Sequence, residues 1–213
     1  MSAIRRAFLE AAESAVGLLA APEVAAAWSG PSALAEFSVS GLCGHLANQV
    51  FSVTKQRLSG EDLVDQPQIP LLEHYFQAEW IDAPVYADIN VLIRKSGERA
   101  AGEDSGELVR RLHEHIGLLR EQLPTQPADR VVSVGKLWNL TLDDYLMTRM
   151  MEIAVHSDDV AVSAGIEAPP LPPTVLEPVL DLLTRLSLHR HGQAAMLRAL
   201  TRSERAPADI TAF

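Results

Sequence analysis

Between Tyr145 and Val160 the chain is apolar around most of a helical circumference, with Leu146, Met147, Met150, Met151, Ile153, Ala154, Val155 and Val160 distributed around the axis. A helix of that kind belongs at the centre of a helical assembly, because no broad face of it suits water. Yet Arg149, Glu152, His156 and Asp159 recur at i, i+3, i+7 and i+10, which lines them along one face. Burying ionisable groups is costly unless they pair or bind an ion. This one segment therefore sets the expected architecture and marks where its chemistry should lie.

The rest of the chain supports a bundle around that helix. Helical periodicity dominates and no series of alternating strands appears. Residues 3–20 space Ile4, Phe8, Ala12, Val16 and Leu19 as an apolar stripe, place Arg5, Arg6, Glu10 and Glu13 elsewhere on the wheel, and stop at Pro22. Ser38 or Ser40 is the expected N-cap of a second helix reaching about Ser59 and Gly60. Residues 61–82 read as a long connection with a short helical piece from Leu72 to Trp80. Asp82 before Pro84 signals a third helix running to about Ala100, and the capping-box pair Asp104 and Glu107 restarts helicity through Leu123. Residues 130–140 are extended, and Thr141 with Asp144 opens the fourth helix, which ends at Gly165. After the stiff linker 169–173, Thr174 and Glu177 should cap one further helix, and Gln193 to about Arg202 forms a last short one. The expected fold is all-α, a four-helix bundle over 1–168 with long crossover connections, and a helical C-terminal extension, 169–213, packed on the same domain.

Composition removes several function classes. With 28 acidic against 18 basic residues the chain carries a net charge of −10, and it shows no basic stripe of the kind that nucleic acid requires. Its apolar runs fall far short of the roughly 20 residues of a membrane span. Glu10 and Glu13 interrupt what would be the apolar part of a signal peptide, so the expected location is the cytoplasm. The single cysteine, Cys43, permits neither an internal disulfide nor a cysteine-rich zinc site. No Gly-rich phosphate loop and no Gly-x-Ser-x-Gly elbow is present.

Glu152 and His156 lie one turn apart, a geometry that can share one metal ion, but the same spacing also makes an ordinary salt-bridged stripe. A third ligand has to come from a facing helix, and His45, set between Leu42, Leu46 and Ala47 with Asn48 and Gln49 beside it, is the leading candidate. The other reading of His45 is a core histidine bonded to a carbonyl. His113 and His115 sit in a charged run that reads as a solvated face, and His189 and His191 lie at a helix end, where the macrodipole favours a cation. His74, in the proline-bounded connection, carries no signal.

The segments "WSGPSALAEF" and "SVSGLCGHLANQV", followed about a hundred residues later by "LTLDDYLMTRMMEIAVHSDDVAVSAG", resemble the DinB-like superfamily. Within it they are similar to the branch of mycothiol-dependent maleylpyruvate isomerases and mycothiol S-transferases. The closing "HGQAAMLRALTRSERAPADITAF" resembles the tails of such proteins. The resemblance implies a divalent metal, most often zinc, held by His45, Glu152 and His156. It also implies a low-molecular-weight thiol, mycothiol in this branch, as cosubstrate for conjugating or isomerising a small electrophile. Some isomerases of this kind continue into a separate C-terminal domain, whereas two helices follow the proline linker here.

Around this core, Arg149 is expected to orient Glu152 or hold an anionic substrate, and Asp159 to hydrogen-bond a liganding histidine or point outward. Five arginines and one acid fall within 185–205, so Arg198 and Arg202 form either a carboxylate-binding edge or plain surface. The expected partners are a small thiol and an electrophile, with no nucleic acid and no membrane, on a monomer or homodimer. The alternative is a non-catalytic bundle that binds a small ligand or a protein, with the metal structural or absent.

Overall fold

A computed structural model describes residues 1–58, 65–135 and 137–213. Eight α-helices occur among them: α1 (Ala3–Leu19), α2 (Pro22–Ala27), α3 (Val39–Ser52), α4 (Leu71–Phe76), α5 (Asp88–Ala101), α6 (Ser105–Gln122), α7 (Leu142–Ala164) and α8 (Pro173–Thr201). A hairpin of β1 (Val131–Val134) and β2 (Trp138–Thr141) precedes α7, with Val131 opposite Thr141. The expected all-α bundle is therefore the fold. Among the described residues, no helix is long and apolar enough to cross a membrane.

Four helices form the ring: α1 packs on α7 and α6, and α3 packs on the same two. Leu42, Leu46, Leu112, Leu119, Leu146 and Met150 fill the space between them and are wholly buried. The third pillar is thus α6, not the helix expected from Asp82, because α5 lies against the outer side of the ring on α3. That contact is exceptionally close. A Cβ at Gly44 would stand 2.1 Å from the Gly97 carbonyl oxygen, and one at Gly97 would stand 2.3 Å from that of Gly41. Only glycine permits this backbone approach.

Several start signals act as read. Ser38 Oγ accepts from the Gly41 amide, Asp104 Oδ1 from that of Glu107 and Thr141 Oγ1 from that of Asp144. Glu107 Oε2 accepts from the Glu103 amide, one residue before the reciprocal capping-box partner. Gly165, at φ 70°, closes α7.

Other expectations are corrected. Pro22 does not simply end the first helix; it occupies the first turn of α2, where its missing N–H costs nothing. The α3 helix continues past Ser52 as a π-helical turn, Val53–Leu58, and its expected end at Ser59 and Gly60 lies outside the described residues. The piece expected from Leu72 to Trp80 is one residue earlier and shorter, since α4 ends at Phe76. Asp82 caps nothing: its carboxylate pairs with Arg190 at 3.1 Å, and α5 begins only at Asp88. The intervening turn is held instead by Asn90 Nδ2, which donates to the Ala83 and Pro84 carbonyls. Thr174 is likewise not a cap, because its hydroxyl donates to Glu10 on α1 while Pro172 and Pro173 start α8. The last short helix is the end of α8, bent at Gly192, whose φ of 79° no other residue adopts readily.

Arg5 departs furthest from its place on the wheel. It is 3% exposed, donates Nε to Asp143 at 2.8 Å, and gives its other nitrogens to the Leu123, Gln126 and Pro127 carbonyls. It thereby ties the start of α1 to the exit of α6 and the first turn of α7.

Candidate metal centre

The α3 and α7 helices pack against each other, and the polar stripe of α7 meets His45 at that seam. Nε2 of His45 lies 3.6 Å from Glu152 Oε2, and Nε2 of His156 lies 3.2 Å from the same oxygen. The imidazole rings stand edge to face with centroids 4.7 Å apart. One ligand atom from each of the three residues lies within 4.8 Å of the others, a group that could hold a metal ion. The three side chains are 14–18% exposed, so the group sits in the protein wall with limited access to water.

The second nitrogen of His156 is also committed. Nδ1 faces Asp159 Oδ2 at 2.9 Å, so Asp159 points inward at His156 and not out to solvent. Burial pulls the His156 imidazole down, but Asp159 and Glu152 on its two sides raise it to about 9. Burial also opposes ionisation of Glu152, yet contacts with His156 and His45 and the charge of Arg149 hold its pKa well below the ordinary carboxylate range. In the metal-free protein the pair is therefore an imidazolium and a carboxylate.

These residues fit a divalent cation. Two imidazole nitrogens and one carboxylate oxygen are the donor set of three-ligand zinc sites that keep an open position. A carboxylate behind the far nitrogen of a liganding histidine fixes its tautomer and ring orientation. With a cation held here, His156 would offer Nε2 as the ligand atom and keep its Nδ1–H donating to Asp159.

Arg149 does not bond Glu152 directly. Nη1 donates to Gln49 Oε1 at 2.7 Å and Nε to Thr148 Oγ1 at 3.0 Å, and the guanidinium lies over the Tyr145 ring. Gln49 in turn donates to the His45 carbonyl at 3.0 Å. The arginine thus braces the His45 turn from across the seam and acts on Glu152 through its charge. Arg198 and Arg202 are exposed at the far end of α8, where Arg202 donates to the neighbouring Thr201 carbonyl. They are not among the residues lining the cavity beside His45.

The other histidines find separate roles. His74 is buried, and its Nδ1 accepts from Trp138 Nε1 at 3.1 Å; burial and then Arg149 push its pKa down to about 4. His115 is not on a solvated face, because its ring packs on Phe51 at 4.6 Å. His113 is exposed, and His189 stacks on Phe76. Cys43 is wholly buried and its thiol is pushed up to about 12, so it remains protonated and unreactive.

An α-helical ring carrying two histidines and a glutamate at the seam of its second and last pillars defines a class of small DinB-like bundles. The chain matches the family model of the mycothiol maleylpyruvate isomerase N-terminal domain over residues 8–161, and it belongs to that family. The matched span contains His45, Glu152 and His156 and ends before α8. No curated relative and no solved structure matches the chain.

Proposed function

We propose that the protein is a metal-dependent enzyme that uses a low-molecular-weight thiol, mycothiol by its family, to conjugate or isomerise a small electrophile. His45, Glu152 and His156 would hold the ion, and their nitrogen and oxygen donors suit zinc. The observation that carries the reading is the convergence of those three ligand atoms within 4.8 Å, with Asp159 already placed behind His156. A cation at this position favours the thiolate form of a thiol brought beside it, and the thiolate is the nucleophile.

The chain's own groups divide the remaining work. Asp159 keeps the His156 ring aimed at Glu152, and Arg149 holds the His45 turn through Gln49. Cys43 offers no competing nucleophile, so the reacting sulfur has to be supplied by the cosubstrate. Attack forms a carbon–sulfur bond. Where the electrophile carries a leaving group, that group departs with its electron pair and the conjugate is the product. Where it is an activated cis-alkene, the π electrons move to the activating group, the former double bond rotates, and expulsion of the thiolate restores a trans-alkene.

The test combines elemental analysis with turnover. Protein purified without chelator should carry about one divalent ion per chain, and with mycothiol and a bimane or halodinitrobenzene it should give conjugation that chelation abolishes. A fully metallated protein that reacts with no low-molecular-weight thiol supports a non-catalytic binding role instead.

A further inference from the structure

His45 belongs to two features at once. One side of its surroundings is the trio with Glu152 and His156; the other is a cavity of about 420 Å³ lined by Asn48, Gln49, Ser96, Arg99, Arg111 and Arg149, among others. That volume suits a small metabolite. Among the described residues, the lining contains three guanidinium groups and no carboxylate, on a chain whose net charge is −10. Such a concentration of one sign in a concave site focuses its field on a ligand of the opposite sign.

The three arginines are differently engaged. Arg149 donates only to the neutral oxygens of Gln49 and Thr148. Arg111 donates Nη1 to the Ala100 carbonyl, lies over the Phe51 ring and has Glu107 at 4.0 Å. Arg99 is exposed and, among the described residues, makes no side-chain hydrogen bond or ion pair. They come from three helices, α7, α6 and α5, so the cluster exists only in the folded chain. Asn48, which donates to Ser96, and Gln49 complete a polar wall without adding negative charge.

We propose that Arg99, Arg111 and Arg149 form an anion subsite that takes a carboxylate-bearing small molecule and presents its other end to His45. Guanidinium groups bind carboxylates through paired, charge-assisted hydrogen bonds, which an uncharged amide cannot match. The inference rests on the proposed function for what happens at the His45 end. The carboxylate belongs to either the thiol or the electrophile. This subsite lies apart from Arg198 and Arg202 and is built from residues about 50 to 100 positions earlier in the chain.

The probes are succinate and its uncharged diamide, titrated calorimetrically into the metal-loaded full chain. Succinate is expected to bind about tenfold more tightly than the diamide, the effect of one charge-assisted hydrogen bond. Arg99→Gln and Arg111→Gln should remove most of that preference while leaving diamide binding and metal content unchanged, and Arg111→Lys should restore part of it. Arg99 is exposed and makes no side-chain hydrogen bond or ion pair among the described residues, so Arg99→Gln is the variant that least disturbs the fold. Equal affinity for the two probes, or a preference indifferent to both glutamine variants, overturns the proposal. A chain that takes up no divalent ion yet still prefers succinate overturns the metal reading and leaves the subsite standing. With thiol and electrophile each offered in charged and uncharged forms, Arg99→Gln should slow turnover only for the reactant whose charge the subsite reads.

Discussion

Asp159 Oδ2 lies 2.9 Å from Nδ1 of His156, three residues earlier on the same helix, and this contact leaves His156 Nε2 to face Glu152. The pair converts an ordinary i, i+3 spacing into a histidine of fixed ring orientation. Removing the carboxylate should cost orientation before it costs the ligand itself.

Asp159→Asn is therefore expected to weaken zinc binding by about 10–100-fold. His156→Ala and His45→Ala should lose the ion altogether under the same conditions. Competition with a chromophoric chelator measures all three; an Asp159→Asn protein that binds zinc like the parent shows that the contact does not tune the site.

The pH dependence of the metal-free chain follows from the same pair. His156 is raised from 6.5 to about 9, so its contribution to stability is complete below about pH 6.5 and is lost as pH rises through 9. Glu152 is depressed, so its contribution is present above its ordinary value of 4.5 and is lost as pH falls through its lower folded value. Urea denaturation in chelator should show falling stability between pH 7 and 10, and His156→Gln should flatten that decline. Apparent zinc affinity should move the other way, rising toward pH 9 as the competing proton leaves.

Gly44→Ala is expected to destabilise the fold by about 3 kcal/mol, because its methyl group would meet the Gly97 carbonyl at 2.1 Å and drive α3 from α5. His45 is the next residue, so metal affinity should fall with it. Gly117→Ala is the control. Nothing lies within 4 Å of a Cβ there, in the interior of α6, and the substitution should stabilise by about 0.5–1 kcal/mol. Denaturant midpoints of the two variants should shift in opposite directions.

Arg5→Met should cost about 3–5 kcal/mol, since it leaves Asp143 and the carbonyls of Leu123, Gln126 and Pro127 without their shared donor. Chemical denaturation measures the loss. A near-neutral result would mean that water replaces the guanidinium.

The sequence by itself determined a good deal. The apolar circumference of residues 145–160 made α7 central, the spacing of its polar stripe aligned Glu152, His156 and Asp159, and Ser38, Asp104 and Thr141 marked helix starts. These are local properties, written in periods of three to four residues and in single capping side chains. Whether His45 meets that stripe was legible only through family resemblance, because a contact between residues more than 100 positions apart leaves no local pattern. Asp82 and Thr174 misled for the same reason: their side chains serve Arg190 and Glu10 across the fold, a choice that local chemistry cannot reveal. The tertiary structure alone decided that Arg5 is buried, that α6 and not the helix from Asp82 completes the ring, and that arginines from α5, α6 and α7 share one cavity. Each of these depends on which faces pack together, and that is set by the summed burial of the whole bundle and not by any one segment.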